Sequence, residues 1–179
     1  EGMPGVIVPR KAVAELRKLI DETGDDVNVS LSESKIRFAF DAAVLTSKLI
    51  DGTFPDYTRV IPVGNDRIMQ VNVAAFSAAV DRVATIASEK SRSVKMGLKP
   101  GLLTLSASNI DASSATEELE VSYDGVEMEI GFNARYLLDI AGQVNSEMVE
   151  FALADQGSPS LVRAPGDESN LFVLMPMRV

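Results

Sequence analysis

The chain has 179 residues, 46 % of them apolar, a net charge of −9, and neither histidine nor cysteine. Those two absences exclude disulfides, thiol chemistry, zinc sites of the usual ligand types and Ser–His or Cys–His nucleophile pairs. No run approaches the ~18 apolar residues of a membrane helix and nothing resembles a signal peptide, so a cytoplasmic protein with no membrane partner is the natural reading.

The first predicted element is a short apolar strand, Val6-Ile7-Val8. Pro9 then opens a helix at the position where proline is tolerated. The helix is expected to run to about Asp21, with Gly24 just beyond it. Arg10, Lys11, Arg17 and Lys18 are spaced i, i+1, i+7 and i+8 and share one face. Val13, Leu16 and Ile20 share the opposite face and are expected to pack on a sheet. Four basic residues against Glu15 and Asp21 give residues 10–21 a net +2 in a chain of −9. A basic face without interleaved aromatics suits phosphates rather than bases; the plainer alternative is a solvated face. Val27, Val29 and Leu31 alternate as a strand, residues 32–34 turn, and Ile36, Phe38 and Phe40 alternate back.

The same pattern recurs twice. In the second copy residues 68–71 form the strand and Asn72 is an N-cap. A helix follows from Val73 to about Ala87, burying Phe76, Val80, Val83 and Ala87 and pointing Arg82 elsewhere. Lys90, Arg92, Lys95 and Lys99 against Glu89 make a second candidate phosphate-facing patch. Strands at 94–98 and 102–106 are joined by the turn Lys99-Pro100-Gly101. From 111 to 129 there are seven acids (Asp111, Glu117, Glu118, Glu120, Asp124, Glu127, Glu129) and no Lys or Arg. A molecule acidic outside and basic inside would show that segregation, as would an ordinary solvated surface. In the third copy residues 128–132 are the strand and Asn133 the cap; the helix ends near Ala141 and Gly142. Arg135 there is offset by Asp139. Val149, Phe151 and Leu153 alternate, Ser158-Pro159 turns, and Leu161 begins the return. Repetition at this spacing implies duplication. The pattern gives an α+β fold: antiparallel sheets with one helix per copy packed on one face.

The chain closes on an apolar stretch, residues 171–179, with two methionines around a proline and Arg178 its one charge. Pro176 cannot donate to a ladder, so a strand is expected to end at about Met175 and leave an apolar strip at a surface. The strip is either a last core strand or a docking surface, for which flexible, polarizable methionine is suited. No catalytic constellation emerges. Without histidine the serines have no base of suitable pKa. The adjacent pairs Asp25-Asp26 and Glu117-Glu118 point different ways. No glycine-rich phosphate motif occurs. No catalytic residue, metal ligand or cofactor is therefore expected; a carboxylate enzyme would need two acids converging in a pocket.

The ending Val173-Leu174-Met175-Pro176-Met177-Arg178 resembles the V-x-M-P-M-R terminus of the bacterial replicative sliding clamp, the beta subunit of DNA polymerase III. Three further segments agree in family order and spacing: Thr46-Ser47-Lys48-Leu49-Ile50-Asp51-Gly52 with Phe54-Pro55-Asp56-Tyr57, Met128-Glu129-Ile130-Gly131-Phe132-Asn133, and Val6-Ile7-Val8-Pro9-Arg10-Lys11. The resemblance covers essentially the whole chain. It implies the DNA-clamp fold, in which two strand–helix copies make a domain and three domains a subunit. Residues 60–179 are then a complete C-terminal domain and 1–59 the second half of the middle domain, so the chain reads as a C-terminal fragment. The implied function is that of a non-catalytic accessory subunit. It encircles duplex DNA as a homodimer ring, touches the backbone without reading sequence, and tethers the polymerase III alpha subunit, the clamp loader and other proteins carrying a clamp-binding motif.

By family match the DNA-facing residues are Arg10, Lys11, Arg17, Lys18 and Arg82. The subunit interface would use Thr85, Ile86, Glu117, Glu118 and Glu120. The walls of a hydrophobic peptide groove would be Pro55, Arg59 and Val60, then Asn133 and Tyr136, then Val173, Leu174, Met175, Pro176, Met177, Arg178 and Val179. The Gly-His-Arg-Leu segment that completes that groove in the family would lie upstream of Glu1. The rival reading is a small peptide-binding adaptor that does not contact DNA.

Overall fold

The computed structural model describes residues 3–23, 26–40, 43–87, 92–109 and 113–178. Gly24, Asp25, Glu89, Lys90, Asp111 and Val179, which entered the sequence reading, lie outside the described residues. The chain divides into two units, Glu1–Asp56 and Tyr57–Val179, where the sequence reading places the division at 59/60.

In the first unit, helix α1 spans Arg10–Thr23, and Val13 N–H donates to the Pro9 carbonyl (3.2 Å) in its first turn. Strands β1 (Asn28–Leu31), β2 (Lys35–Ala39) and β3 (Val44–Lys48) form one antiparallel sheet in that order. The alternation Lys35-Ile36-Arg37-Phe38 puts Ile36 and Phe38 into a small core with Phe40. Leu16 and Leu19 of α1 pack on it.

Val6-Ile7-Val8 forms no full strand; it contributes one bridge, Ile7 to Ile50, because Pro9 turns the chain into α1 directly afterwards. The sequence reading assigns no strand at β3, which closes the sheet against β2. The expected helix phase is off by a residue. Ala12, Leu16 and Leu19 face the core, while Val13 and Ile20 stay 50 % and 42 % exposed. The apolar stripe of α1 is wider than the sheet beneath it, so periodicity alone does not select the buried edge.

The second unit is built twice over. After a 3-10 turn at Tyr57–Val60 come β4 (Arg67–Asn72), α2 (Val73–Ala84), β5 (Ser93–Lys99), β6 (Leu102–Ser108) and β7 (Ser114–Glu120). The order repeats as β8 (Met128–Asn133), α3 (Ala134–Ala141), β9 (Met148–Leu153), β10 (Ser160–Arg163) and β11 (Phe172–Leu174). Each helix begins at an asparagine in extended conformation whose side chain accepts a backbone N–H: Asn72 from Ala75 (2.9 Å), Asn133 from Arg135 (3.0 Å). Those caps satisfy donors that would otherwise be unpaired. Helix α2 ends three residues short of the expected Ala87. The following turn tightens, with N–H groups of Thr85, Ile86 and Ala87 each reaching three residues back.

The two halves exchange their first strands. β4 joins the hairpin of the second half, giving the sheet β11-β10-β9-β4, and β8 joins that of the first, giving β7-β6-β5-β8. Each exchanged strand is closed on its outer edge by the segment that follows the last strand of its own half. Gln70 of β4 bridges Ser122 after β7, and Gly131 of β8 bridges Met177 after β11. The inward residues of both sheets and the buried faces of α2 and α3 form one core, with Phe76 of α2 tilted against Phe151 of β9 at 5.4 Å. One buried acid, Glu150, is matched by Arg163 Nε (2.8 Å) and Gln70 Nε2 (2.9 Å) on the neighbouring strands. Among the described residues no helix is long and apolar enough to cross a membrane.

Candidate functional site

The predicted residues fall into an apolar set and a charged set. The first is the tail. β11 pairs with β10 through Phe172, Val173 and Leu174, and Leu174 is buried at 4 % exposure. Beyond the strand, Met175 is 62 % exposed, and Met177 N–H donates to the Gly131 carbonyl at 2.7 Å. The sequence reading treats residues 173–179 as one strip; the structure splits it. Leu174 belongs to the core, because the pleat points it inward beside Ser160. Pro176 does end the strand, yet the backbone resumes pairing one residue later. Met175 and half-exposed Pro176 and Met177 line the edge of β8. That edge runs into Asn133, the cap of α3, and Tyr136 in the first turn of α3 is 56 % exposed. Asn133, Tyr136 and Met175-Pro176-Met177 are thus gathered at one end of β8. Arg178 is exposed. Arg59 and Val60 are exposed in the 3-10 turn of the second unit, and Pro55 belongs to the first.

The loop that leads into β11 is set by Asp167. Its carboxylate accepts from the backbone N–H and hydroxyl of Ser169 (2.8 and 2.6 Å) and from Asn170 (3.1 Å). Those bonds, led by the Ser169 hydroxyl, hold the carboxyl down at about 2 instead of 3.8. The stabilisation is complete above the unfolded value and is lost as pH falls from 3.8 toward about 2. Thermal melts across that range should therefore fall more steeply for the native chain than for Asp167→Asn. Parallel declines would remove Asp167 from this role.

The charged residues are divided between the two units, with Arg10, Lys11, Arg17 and Lys18 in the first and Arg82 and the acids of β7 in the second. Arg10, Lys11, Arg17 and Lys18 are exposed along α1, with Lys18 in a surface pair with Glu15 (3.1 Å). Arg82 departs from expectation. Its Nε and Nη2 grip both oxygens of Glu117 on β7 at 2.6 and 2.7 Å. This bidentate pair raises the arginine and, through the hydrogen bond first, holds the Glu117 carboxyl below its usual range. The residue read as phosphate-facing and the acid read as interface neutralise each other within this chain. Sequence spacing gives no sign of it, since β7 reaches α2 only through the fold. Thr85 donates its hydroxyl to the Arg82 carbonyl (2.7 Å), and Ile86 is half-buried. Glu118 and Glu120 remain exposed on β7, the outer strand of its sheet. Arg135 lies 3.8 Å from Asp139 on α3. Arg92 has a left-handed backbone (φ 45°) and its carbonyl accepts from Ala134 N–H at the start of α3 (2.8 Å). Among the described residues no cluster of three or more acids is placed to hold a metal.

Two family models match the chain in order. The one described as DNA polymerase III beta subunit, central domain, matches residues 1–56, and the one described as DNA polymerase III beta subunit, C-terminal domain, matches residues 58–178. The beta sliding clamp of Caulobacter vibrioides is 55 % identical over 178 residues, covering 99 % of this chain and 48 % of the relative. That of Pseudomonas aeruginosa is 40 % identical over 174 residues, covering 97 % and 47 %. Among solved structures, the Caulobacter crescentus beta sliding clamp superposes with a TM-score of 0.95 at 55 % identity, covering 100 % of this chain and 48 % of that one. A sliding clamp from Bartonella birtlesii bound to griselimycin gives 0.94 at 54 % identity, covering 99 % and 48 %. The chain spans about half the length of the curated relatives it matches.

Proposed function

The chain belongs to the DNA polymerase III beta subunit family, and from that membership we propose that it supplies the central-to-C-terminal portion of a cytoplasmic DNA sliding clamp. The observation that carries this reading is that both family models align in order along one chain. A clamp does no chemistry. It surrounds duplex DNA and raises the effective concentration of bound polymerase at the primer end, so a dissociated enzyme rebinds before diffusing away. Arg10, Lys11, Arg17 and Lys18 on α1 meet phosphates weakly enough to permit sliding; Arg82, committed to Glu117, contributes little free charge. The outer edge of β7, with Glu118 and Glu120 and the neighbouring Thr85 and Ile86, is the face for the next subunit. Asn133, Tyr136 and Met175-Pro176-Met177 form one wall of a groove for the linear motif of partner proteins, with Arg59 and Val60 of the same unit as the other. The partners are the polymerase alpha subunit, the clamp loader and other motif-bearing proteins. A family member that binds griselimycin supports a ligand groove.

The test is salt-dependent binding of the chain to duplex DNA by fluorescence anisotropy. Changing Arg10, Lys11, Arg17 and Lys18 together to glutamate should weaken binding for every duplex sequence. It should also flatten the slope of log K against log salt by about three to four, near 0.9 for each phosphate that is no longer neutralised. An unchanged slope would place these residues on an outer solvated face. An adaptor that never meets DNA would show no salt-dependent binding in either form.

A further inference from the structure

A groove of about 840 Å³ crosses the outward face of the sheet β7-β6-β5-β8, on the side away from the helices. Its floor exists because of Gly97. In β5 the residues Val94, Met96 and Leu98 point into the core, and Lys95, Gly97 and Lys99 point outward. Gly97 stands in register between Thr104 of β6 and Glu129 of β8, and its missing side chain leaves a depression between the two lysines. The far wall is Arg67, the first residue of β4, with Asp155 and Gln156 of the turn between β9 and β10.

The charges in this groove are unequally satisfied. Lys95 pairs with Glu129 (3.0 Å) and Lys99 with Glu127 (3.7 Å). Asp155 is consumed by its own turn: it accepts from the N–H groups of Gly157 and Ser158, both at 2.7 Å, and from the Ser158 hydroxyl at 2.8 Å. Arg67 is different. It is half-buried and, among the described residues, makes no ion pair at contact distance; its Nη1 donates to the sulfur of Met128 at 3.7 Å, and its charge only adds, after the hydrogen bonds of the turn, to holding the Asp155 carboxyl low across the groove. A thioether is a weak acceptor for a guanidinium that carries five donors. The groove therefore holds one under-used cation among already neutralised pairs.

We infer that this groove binds an extended peptide segment carrying a single carboxylate, which Arg67 receives, with its neighbours seated over Gly97. Glu127, Glu129 and Asp155 oppose a polyanion, so nucleic acid does not fit the same surface. The threonine and serine hydroxyls of β6 and β7 along the floor offer hydrogen bonds to a peptide backbone.

The test is titration of the isotope-labelled chain, read by backbone amide shifts, with three probes. They are acetyl-Gly-Ser-Glu-Ser-Gly-amide, its glutamine analogue, and inorganic phosphate. The glutamate peptide should move the amides of Gly97, Thr104 and Gln156 saturably. The glutamine analogue should bind about tenfold or more weakly, as expected for loss of a charge-assisted bond. In Arg67→Gln the two peptides should become equal. A second variant, Gly97→Val, should weaken the glutamate peptide with Arg67 intact. An added Cβ there meets only Thr104, at 3.7 and 3.8 Å, and a β-branched residue suits a strand, so the fold should hold. Equal binding of the two peptides by the native chain would overturn the inference. So would discrimination that survives in Arg67→Gln, or shifts caused by phosphate but by neither peptide.

Discussion

Replacing Phe76 with alanine should destabilise the second unit by about 3–5 kcal/mol. The ring is 1 % exposed and joins α2 of the first half to Phe151 on β9 of the second, at 5.4 Å and 59° between planes. Removing it opens a cavity at the seam where the two halves share strands. Tyr136→Ala, on the exposed first turn of α3, should fall within about 0.5 kcal/mol of the parent chain. Urea unfolding of both variants, with the slope m held equal, measures the contrast. A small loss for Phe76→Ala would mean that the seam relaxes.

The second large effect divides the tail. Leu174→Ala should cost about 2–5 kcal/mol, because Leu174 is buried in the core, whereas Met175→Ala should leave stability almost unchanged. Under the proposed function the partner-peptide readout reverses that order: Met175→Ala weakens peptide binding and Leu174→Ala spares it wherever the unit remains folded. Removing residues 175–179 altogether should lower the melting temperature as well as binding, since it deletes the Met177–Gly131 hydrogen bond and uncovers the edge of β8. Equal melts for the two point variants would return the whole tail to the surface.

The elements legible in the sequence are those written in local chemistry. Asn72 and Asn133, each between an apolar run and a helical period, mark the starts of α2 and α3, and both side chains cap as expected. Lys99-Pro100-Gly101 marks the turn of β5 and β6, where Gly101 takes a positive φ of 75°. Non-local features leave no such mark. The pairing of β4 with β9 joins Arg67 to Leu153, and no pattern within either strand names the other. The Arg82–Glu117 pair is hidden for the same reason, its two members assigned by sequence to separate surfaces. On α1, Val13 and Ile20 are as apolar as Leu16 and Leu19, and only the position of the sheet distinguishes them. In the tail, strand alternation is the signal that sets Leu174 apart from Val173 and Met175.

The strand exchange also bears on how the second unit comes into being on the ribosome. β4 emerges early, but its ladder partner β9 lies beyond the four strands β5 to β8, a whole sheet's worth, and its own sheet is finished only by β11. Neither half can complete a sheet by itself, so the nascent chain carries an apolar strand without its ladder partner until β9 has been made. Contacts of such long sequence separation close slowly, because loop entropy must be overcome before the pairing stabilises anything. Folding of this unit is then close to all-or-none, and until β11 appears the backbone of β4 lies in an unfinished sheet open to pairing with other chains.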